Sequence, residues 1–288
     1  MQYRKGAKLD SSQMSSGGSR RTGVAIGGGA GLLVALLAML FGFNPDLFSG
    51  GGSQAAPDPG SSGAYAHCET TDDIAKDRDC RFLAYTNSIQ TYWKGMLSSY
   101  EVTETKPFTG QISTGCGTAT AAVGPFYCPA DKFVYLDLGF FDQMLEGQLG
   151  AKGGDAAEAY VIAHEYGHHI SNLLGYLAKA QSAGNVTGPK SPQVRLELQA
   201  DCFAGAWLAN ASKDPASPIE AVTRDDVDRA IDAAIAVGDD RVQEMSTGRV
   251  DRESWTHGSS AQRKAWMVKG YSSGDARVCD TFSTDALG

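Results

Sequence analysis

Clustered positive charge is missing from most of this 288-residue sequence. Five basic residues against Asp10 give residues 1–22 a charge of +4, so the remainder carries −12 of the total of −8. Proteins that bind nucleic acids need basic patches to neutralise the phosphates. The acidic body of the chain therefore argues against a nucleic-acid partner.

Cysteine is absent from the first 67 residues, and all six cysteines follow. An even number on one side of an apolar segment favours disulfides in an oxidising compartment. Six free thiols in a reduced cytosolic domain are the alternative. The close pairs Cys68/Cys80 and Cys116/Cys128 are our first choice of pairing, which leaves Cys202 with Cys279.

Charge is also absent from Gly23 to Phe43, a stretch of 21 residues that is long enough to span a bilayer core. Basic residues precede it, so the positive-inside rule predicts a cytoplasmic N-terminus and an extracytoplasmic body. A cleaved signal peptide is the alternative, with Ser53-Gln54-Ala55 as a loose cleavage site. We favour an uncleaved anchor, because the 22 residues before the apolar stretch are long for a signal peptide. Both interpretations export the body.

The chain divides by composition into four parts. Residues 1–22 are polar, rich in Gly and Ser and without periodicity, which predicts a disordered tail. Residues 23–43 are the predicted transmembrane helix, and residues 44–64 form a Gly/Ser/Pro linker. Residues 65–288 are the predicted folded domain.

Apolar periodicity predicts an α+β fold that is mainly helical. The predicted strand covers residues 133–138, and residues 179–190 are a predicted loop. The predicted helices cover approximately residues 72–99, 140–149, 156–174, 192–210, 223–237 and 260–269. At the start of the third of these helices, Asp155 and Glu158 have the spacing of a capping box.

Histidine is scarce, yet three of the five histidines fall within six residues, in the sequence His164-Glu165-Tyr166-Gly167-His168-His169. On an α-helix, His164 and His168 lie about 40° apart around the axis and about 6 Å apart along it, so both imidazoles can bind one metal ion. Glu165 lies about 100° from His164, close to such an ion without ligating it. The motif predicts a zinc hydrolase with Glu165 as the general base.

A catalytic zinc ion needs a third protein ligand, and Glu197 is the strongest candidate. Asp201 follows four residues later on the same helix face. Taken alone, the two carboxylates would be solvent-exposed, but their neighbours are largely apolar and buried acids need partners. We therefore interpret Glu197 as a metal ligand and Asp201 as the acceptor of the free N–H of a ligating histidine.

The other histidines are weaker candidates. His169 lies about 100° from His168 around the helix, so a packing or surface role is expected. His257 has two interpretations that the sequence leaves open. It could donate a hydrogen bond to the tetrahedral intermediate, or it could be a structural loop or cap residue. His67 is expected to be structural or exposed.

Several blocks of this sequence resemble the bacterial putative neutral zinc metallopeptidase family. The resemblance covers almost the whole chain and rests on MQYRKGAKLD, GPFYCPADKFVYLDL, HEYGHH, ELQADCFAGAW, GDDRVQ and THGSSAQRKAW. It implies one Zn²⁺ per chain held by His164, His168 and Glu197, with Glu165 as the base, as in gluzincins. It also implies a zincin-like fold, in which the strand at 133–138 would be the edge strand that an extended peptide joins.

Together these observations predict a membrane-anchored, extracytoplasmic zinc endopeptidase that acts on polypeptides and contacts the lipid bilayer through residues 23–43. A membrane-anchored binding or scaffold module with a structural zinc site is the alternative, and a closed site of that kind needs a fourth protein ligand. A zinc hydrolase of a non-peptide bond is a further alternative. The sequence predicts neither the physiological substrate nor the oligomeric state.

Overall fold

A computed structural model describes residues 1–17 and 63–288. The predicted transmembrane segment 23–43 and nearly all of the linker 44–64 lie outside the described residues. The helices are α1 Arg78–Met96, α2 Asp155–Leu173, α3 Tyr176–Ser182, α4 Pro192–Leu208, α5 Arg224–Ala236, α6 Asp239–Thr247 and α7 Ser260–Ser273, with a π-helical segment at Phe140–Gln148. The strands are β1 Gln2–Tyr3, β2 Thr105–Phe108, β3 Gln111–Thr114, β4 Gly117–Thr120, β5 Phe126–Cys128, β6 Phe133–Asp137 and β7 Ile219–Ala221.

These elements form an α+β fold that is about half helical, which confirms the predicted fold class and is consistent with a zincin-like domain. Within residues 1–17 and 63–288, no helix combines the length and the apolar character that a bilayer crossing requires.

The helix that carries the histidine motif, α2, begins within one residue of the predicted start, but its predicted cap is wrong. The N-cap is Gly154, with a φ of 90°, and no side chain caps it. The Asp155 carboxylate instead pairs with Arg81 at 3.0 Å, and the Glu158 carboxylate pairs with Arg78 at 2.6 Å. Both carboxylates thus join α2 to α1, and this pairing across the core replaces the local cap.

Helix α2 ends as predicted at Gly175, which adopts a left-handed conformation with a φ of 80°. The chain then turns directly into α3, a short helix that sequence periodicity does not predict. The predicted loop at 179–190 is therefore helical as far as Ser182.

Glycines let three helices approach closely around the motif. A Cβ on Gly167 of α2 would lie 2.8 Å from the Ala200 Cα of α4, so only glycine fits there without a shift. A Cβ on Gly270 of α7 would collide with the backbone carbonyl of Cys202 in α4. For this reason α7 continues through Gly270 instead of ending before it, as was predicted.

The strand order of the main sheet is β2-β6-β5. Strand β6 runs parallel to β2 and antiparallel to β5, so it lies in the centre of the sheet. The prediction that residues 133–138 form the edge strand is therefore wrong. The edge strand beside the motif helix is β5, because a three-residue strand at 126–128 was hidden among turn-forming glycines.

The N-terminal segment contradicts the prediction of a disordered tail at residues 1–22, as far as Gly17. Strand β1 pairs with β7, and the amides of Ser15 and Gly17 donate to the Thr105 and Pro107 carbonyls of β2 at 3.1 Å each. Met14 is only 1% exposed. Residues 14–17 thus cover the outer edge of β2, and the segment is packed as an integral part of the domain.

The six cysteines all lie in the described part of the chain and form Cys68–Cys80, Cys116–Cys128 and Cys202–Cys279. The predicted pairing is confirmed. The third bond joins α4 to the C-terminal segment, and the second holds the end of β5.

Candidate metal centre

Helices α2 and α4 bring the three predicted metal ligands together. His164 Nε2 lies 3.1 Å from Glu197 Oε2, and His168 Nε2 lies 3.4 Å from Glu197 Oε1. The two imidazole rings stand nearly perpendicular, with centroids 4.7 Å apart. All three side chains are largely buried, because α2 and α4 pack directly on each other.

The donor set fits a zinc ion. One ligand atom from each of the three side chains lies within 4.8 Å of the others. Zinc with bonds of about 2.0–2.1 Å in a tetrahedral arrangement separates its ligand atoms by about 3.3–3.4 Å, close to the distances observed here. Two imidazoles and one carboxylate are also the ligand types of an open catalytic zinc site. Among the described residues no fourth His, Cys, Asp or Glu joins this group.

The charges in the centre favour a cation. Burial by itself lowers the pKa of His164, but Asp201 and the hydrogen bonds to Asp201 and Glu197 outweigh it and raise that pKa to about 9. Burial raises the pKa of Glu197, but the neighbouring histidines, His168 first, hold it well below its usual range. A proton thus lies between His164 and Glu197, where a metal ion bound by the same side chains would replace it.

The Asp201 carboxylate fixes the orientation of His164. Its Oδ1 accepts from His164 Nδ1 at 2.8 Å and from the Tyr160 hydroxyl at 2.5 Å. Arg263 donates to both oxygens at 2.9 Å. Burial raises the pKa of Asp201, but the positive charges of Arg263 and His164 lower it further, so the group stays ionised. This geometry is the one expected of a carboxylate that holds a ligating histidine in place.

Glu165 lies beside the ligands and faces β5. The backbone of Tyr127 hydrogen-bonds to its carboxylate. Burial raises the pKa of Glu165 to about 7. A carboxylate with a pKa near neutrality can both accept and return a proton, which is what a general base in hydrolysis must do.

His257 comes into the same site from the loop before α7. Its Nδ1 lies 3.1 Å from Asp239 Oδ1, while Asp239 Oδ2 accepts from the backbone amides of Thr256, His257 and Gly258 at 2.7–2.9 Å. Burial lowers the pKa of His257, but Asp239 outweighs it and raises the pKa above its usual value. Since Nδ1 is engaged, Nε2 is the nitrogen available to a ligand in the cavity.

A cavity of about 110 Å³ joins these groups. One wall is polar and the other is apolar, and β5 runs along its rim. The polar wall consists of His164, Glu165, His168, Glu197, His257 and Arg263, and the apolar wall includes Phe126, Phe140, Met144, Leu149, Val161, Leu177, Val237 and Val242.

The remaining histidines lie outside the metal centre. His169 contacts the Tyr127 hydroxyl and the Glu101 carbonyl. His67 is half exposed and pairs with Asp77 at 2.8 Å. His67 also lies near two cysteines, but these are joined in a disulfide and are not metal ligands.

Three supporting residues escaped sequence reasoning. Tyr160 stands four residues before His164, so helical spacing could have placed it beside Asp201. Arg263 and Asp239 lie far from the motif in sequence, in blocks that drew attention for other reasons. Only the packing of α7 and α6 against α4 and α5 brings them to the site.

An H-E-x-x-H helix that meets a glutamate on a second helix, in an α+β fold, is consistent with a zincin-like domain. A family model described as "Putative neutral zinc metallopeptidase" matches residues 2–282, and the chain belongs to that family. The match includes residues 2–17, in agreement with their packing on the domain.

Similar proteins occur in other bacteria. The chain is 47% identical to an uncharacterized protein of Mycobacterium tuberculosis (strain ATCC 25618 / H37Rv) over 228 residues, or 77% of each chain. It is 45% identical to the uncharacterized protein YpfJ of Escherichia coli (strain K12) over 190 residues, which cover 65% of this chain and 64% of the relative. No solved structure matches the chain.

Proposed function

We propose that this protein is a zinc-dependent endopeptidase in which His164, His168 and Glu197 hold one metal ion and Glu165 is the general base. The observation that carries the proposal is a single cavity lined by all four side chains and bordered by the sheet edge β5. The family description supports both zinc and peptidase activity.

The chain's own residues divide the work of hydrolysis. Bound zinc supplies a Lewis acid that lowers the pKa of water to about 7 and polarises a carbonyl group. Glu165 accepts a proton from the attacking water and returns it to the leaving amine. His257 Nε2 donates a hydrogen bond to the carbonyl oxygen as negative charge develops there. Asp201 keeps the His164 ring in its ligating orientation.

The substrate is an extended polypeptide that joins the sheet at β5. The outer edge of β2 is covered by residues 14–17, whereas β5 borders the cavity. Backbone pairing with an edge strand holds a peptide in a fixed register. The apolar wall of the cavity, which Phe140 and Val242 help to form, fits a bulky apolar side chain next to the scissile bond.

We further propose that the domain acts outside the cytoplasm. Three disulfides support an oxidising compartment. A membrane anchor at residues 23–43 stays a prediction. The packing of residues 1–17 on the domain adds the requirement that both flanks of that segment lie on the same side of a membrane.

The location can be tested at Ser12, which is exposed on the packed segment. A Ser12→Cys variant in intact cells should react with a membrane-impermeant thiol reagent. Protection of this thiol in intact cells, with reaction after lysis, would reject an external N-terminal segment.

The proteolytic function is tested with the zinc-loaded full chain and an unfolded protein as substrate. Glu165→Gln should keep about one zinc per chain and lower the cleavage rate by about 10²–10⁴-fold. Glu146→Gln, which neutralises an exposed glutamate, is the matched control and should keep full activity. Retained cleavage in Glu165→Gln would remove Glu165 from its role.

Two further readings complete this experiment. His257→Ala should retain zinc and lose about 10²–10³-fold in kcat, the usual effect of removing one oxyanion donor. Mass spectrometry of the products should show bulky apolar residues beside the cleaved bonds. Wild-type protein that binds zinc but cleaves no polypeptide would favour the binding module with a structural zinc site.

A further inference from the structure

We propose that His169, the residue after the predicted ligand His168, positions the substrate-binding edge of the sheet. It does so through a clasp made of Asn172, His169, the Tyr127 side chain and the Glu101 carbonyl. His169 is thus a positioning residue, one that acts on β5 and leaves the metal ion untouched. The proposal rests on the proposed function, because it gives β5 the role of holding an extended polypeptide.

The clasp has one consistent set of donors and acceptors. The Glu101 carbonyl can only accept, so His169 Nε2 carries the hydrogen and donates to it at 2.7 Å. His169 Nδ1 then accepts from the Tyr127 hydroxyl at 3.1 Å. The same hydroxyl oxygen accepts from Asn172 Nδ2 at 2.9 Å. Every polar atom named here has a partner, which makes the network specific and rigid.

Burial supports the neutral ring that this pattern requires. His169 is fully buried, and burial lowers its pKa. Its ring also packs against two tyrosines, with centroid distances of 5.4 Å to Tyr127 and 5.7 Å to Tyr100. A neutral histidine with both ring nitrogens satisfied has no free lone pair for a metal ion.

Tyr127 links the clasp to the cleft. It is the middle residue of β5, and its backbone hydrogen-bonds to the Glu165 carboxylate while its hydroxyl lies in the clasp. Glu165 and His169 stand four residues apart on α2, so both face β5. The clasp therefore fixes the distance between the strand that would hold the substrate and the base that would act on it.

Strand β5 needs this support. It is three residues long, and among the described strands only β6 pairs with it. The disulfide Cys116–Cys128 holds its last residue. Without the clasp, the start of β5 would be free to move away from α2, and a peptide paired with it would lose its register.

The test compares Tyr127→Phe with Tyr100→Phe in the zinc-loaded full chain. Tyr127→Phe removes the clasp hydroxyl and keeps the ring. Tyr100→Phe is the matched control, since it removes a hydroxyl that donates to Gln90 from a ring that also contacts His169. We expect Tyr127→Phe to raise KM for a long peptide about tenfold, the effect of two ordinary hydrogen bonds.

Three other readings separate positioning from general damage. In Tyr127→Phe, kcat on a short substrate that does not reach β5, and the zinc content, should stay within twofold of wild type. Hydrogen exchange at the amides of β5 should be faster than in Tyr100→Phe. Asn172→Ala, a milder change at a half-buried residue, should raise KM about threefold and gives the same test if Tyr127→Phe does not fold.

The proposal is overturned if KM for the long peptide and the exchange of β5 match those of the control, or if zinc content falls with them. Failure of the peptidase function looks different, because wild-type protein would then cleave neither substrate. The exchange measurement would still report whether the clasp holds β5.

Discussion

His168 and His169 are neighbours on α2 with opposite surroundings. His168 Nε2 lies 3.4 Å from Glu197, and its Nδ1 is buried without a hydrogen-bond partner in the described part of the chain. Both ring nitrogens of His169 are satisfied, by Glu101 and Tyr127. An unsatisfied ring beside a buried carboxylate and a cavity can bind a cation, whereas a satisfied ring holds structure.

This difference extends along two faces of the helix. Residues one position apart lie about 100° apart, so His164 and His168 face α4 while Glu165 and His169 face β5. The metal ligands thus belong to the helix–helix side, and the general base belongs to the strand side. Helix α2 sets the distance between the two sides, which explains why the site depends on packing on both of its faces.

Removing a ligand from the α4 face should have the largest effect on the comparison. Glu197→Ala takes away the one carboxylate that approaches both imidazoles. We expect metal affinity to fall by more than the 10–100-fold that an outer partner costs, with cleavage at background. Metal analysis after gel filtration should give near zero zinc per chain for this variant and about one for His169→Gln. Equal zinc contents in the two variants would erase the distinction between the faces.

A substitution far from both faces shows what plain loss of stability looks like. Met14→Ala removes a buried side chain from the segment that covers β2. We expect the free energy of unfolding to fall by about 2–5 kcal/mol. Zinc content and KM of the folded fraction should stay at the wild-type values. Urea titration measures this change, and a loss well under 1 kcal/mol would return residues 1–17 to the predicted disordered tail.

Gly167→Ala tests the contact between α2 and α4 with a smaller change. Overpacking costs about 1–3 kcal/mol, and the helix propensity of Ala returns about 0.8–1.0 kcal/mol, so a net loss near 1 kcal/mol is expected. Because the added methyl group meets Ala200 Cα, zinc affinity should fall while β5 amide exchange stays unchanged. A variant with undiminished zinc affinity would show that ligand geometry does not depend on this approach.

Local spacing explains which features the sequence predicted. His164, Glu165 and His168 are fixed by helical geometry, and Glu197 with Asp201 by a second helix of the same kind. The disulfide pairs followed from their spacing. In each case the information lies within about one helix turn or one short loop, where sequence order and spatial order agree.

The features that sequence missed depend on long-range order. Strand order put β6 in the centre and β5 at the edge, and no local pattern distinguishes those positions. Met14 is a single apolar anchor in a polar segment, so it produces no periodicity. Arg263 and Asp239 reach the site only through helix packing. The roles of the site residues stay predictions that the experiments above address.

The most direct test of the account is the anomalous X-ray scattering of zinc in a crystal of the metal-loaded full chain. We predict one zinc peak per chain, bound by His164 Nε2, His168 Nε2 and Glu197, with no fourth protein ligand. His169 should keep its contacts to Tyr127 and Glu101. A peak ligated by His169, or a zinc ion closed off by four protein side chains, would contradict the proposed open catalytic centre.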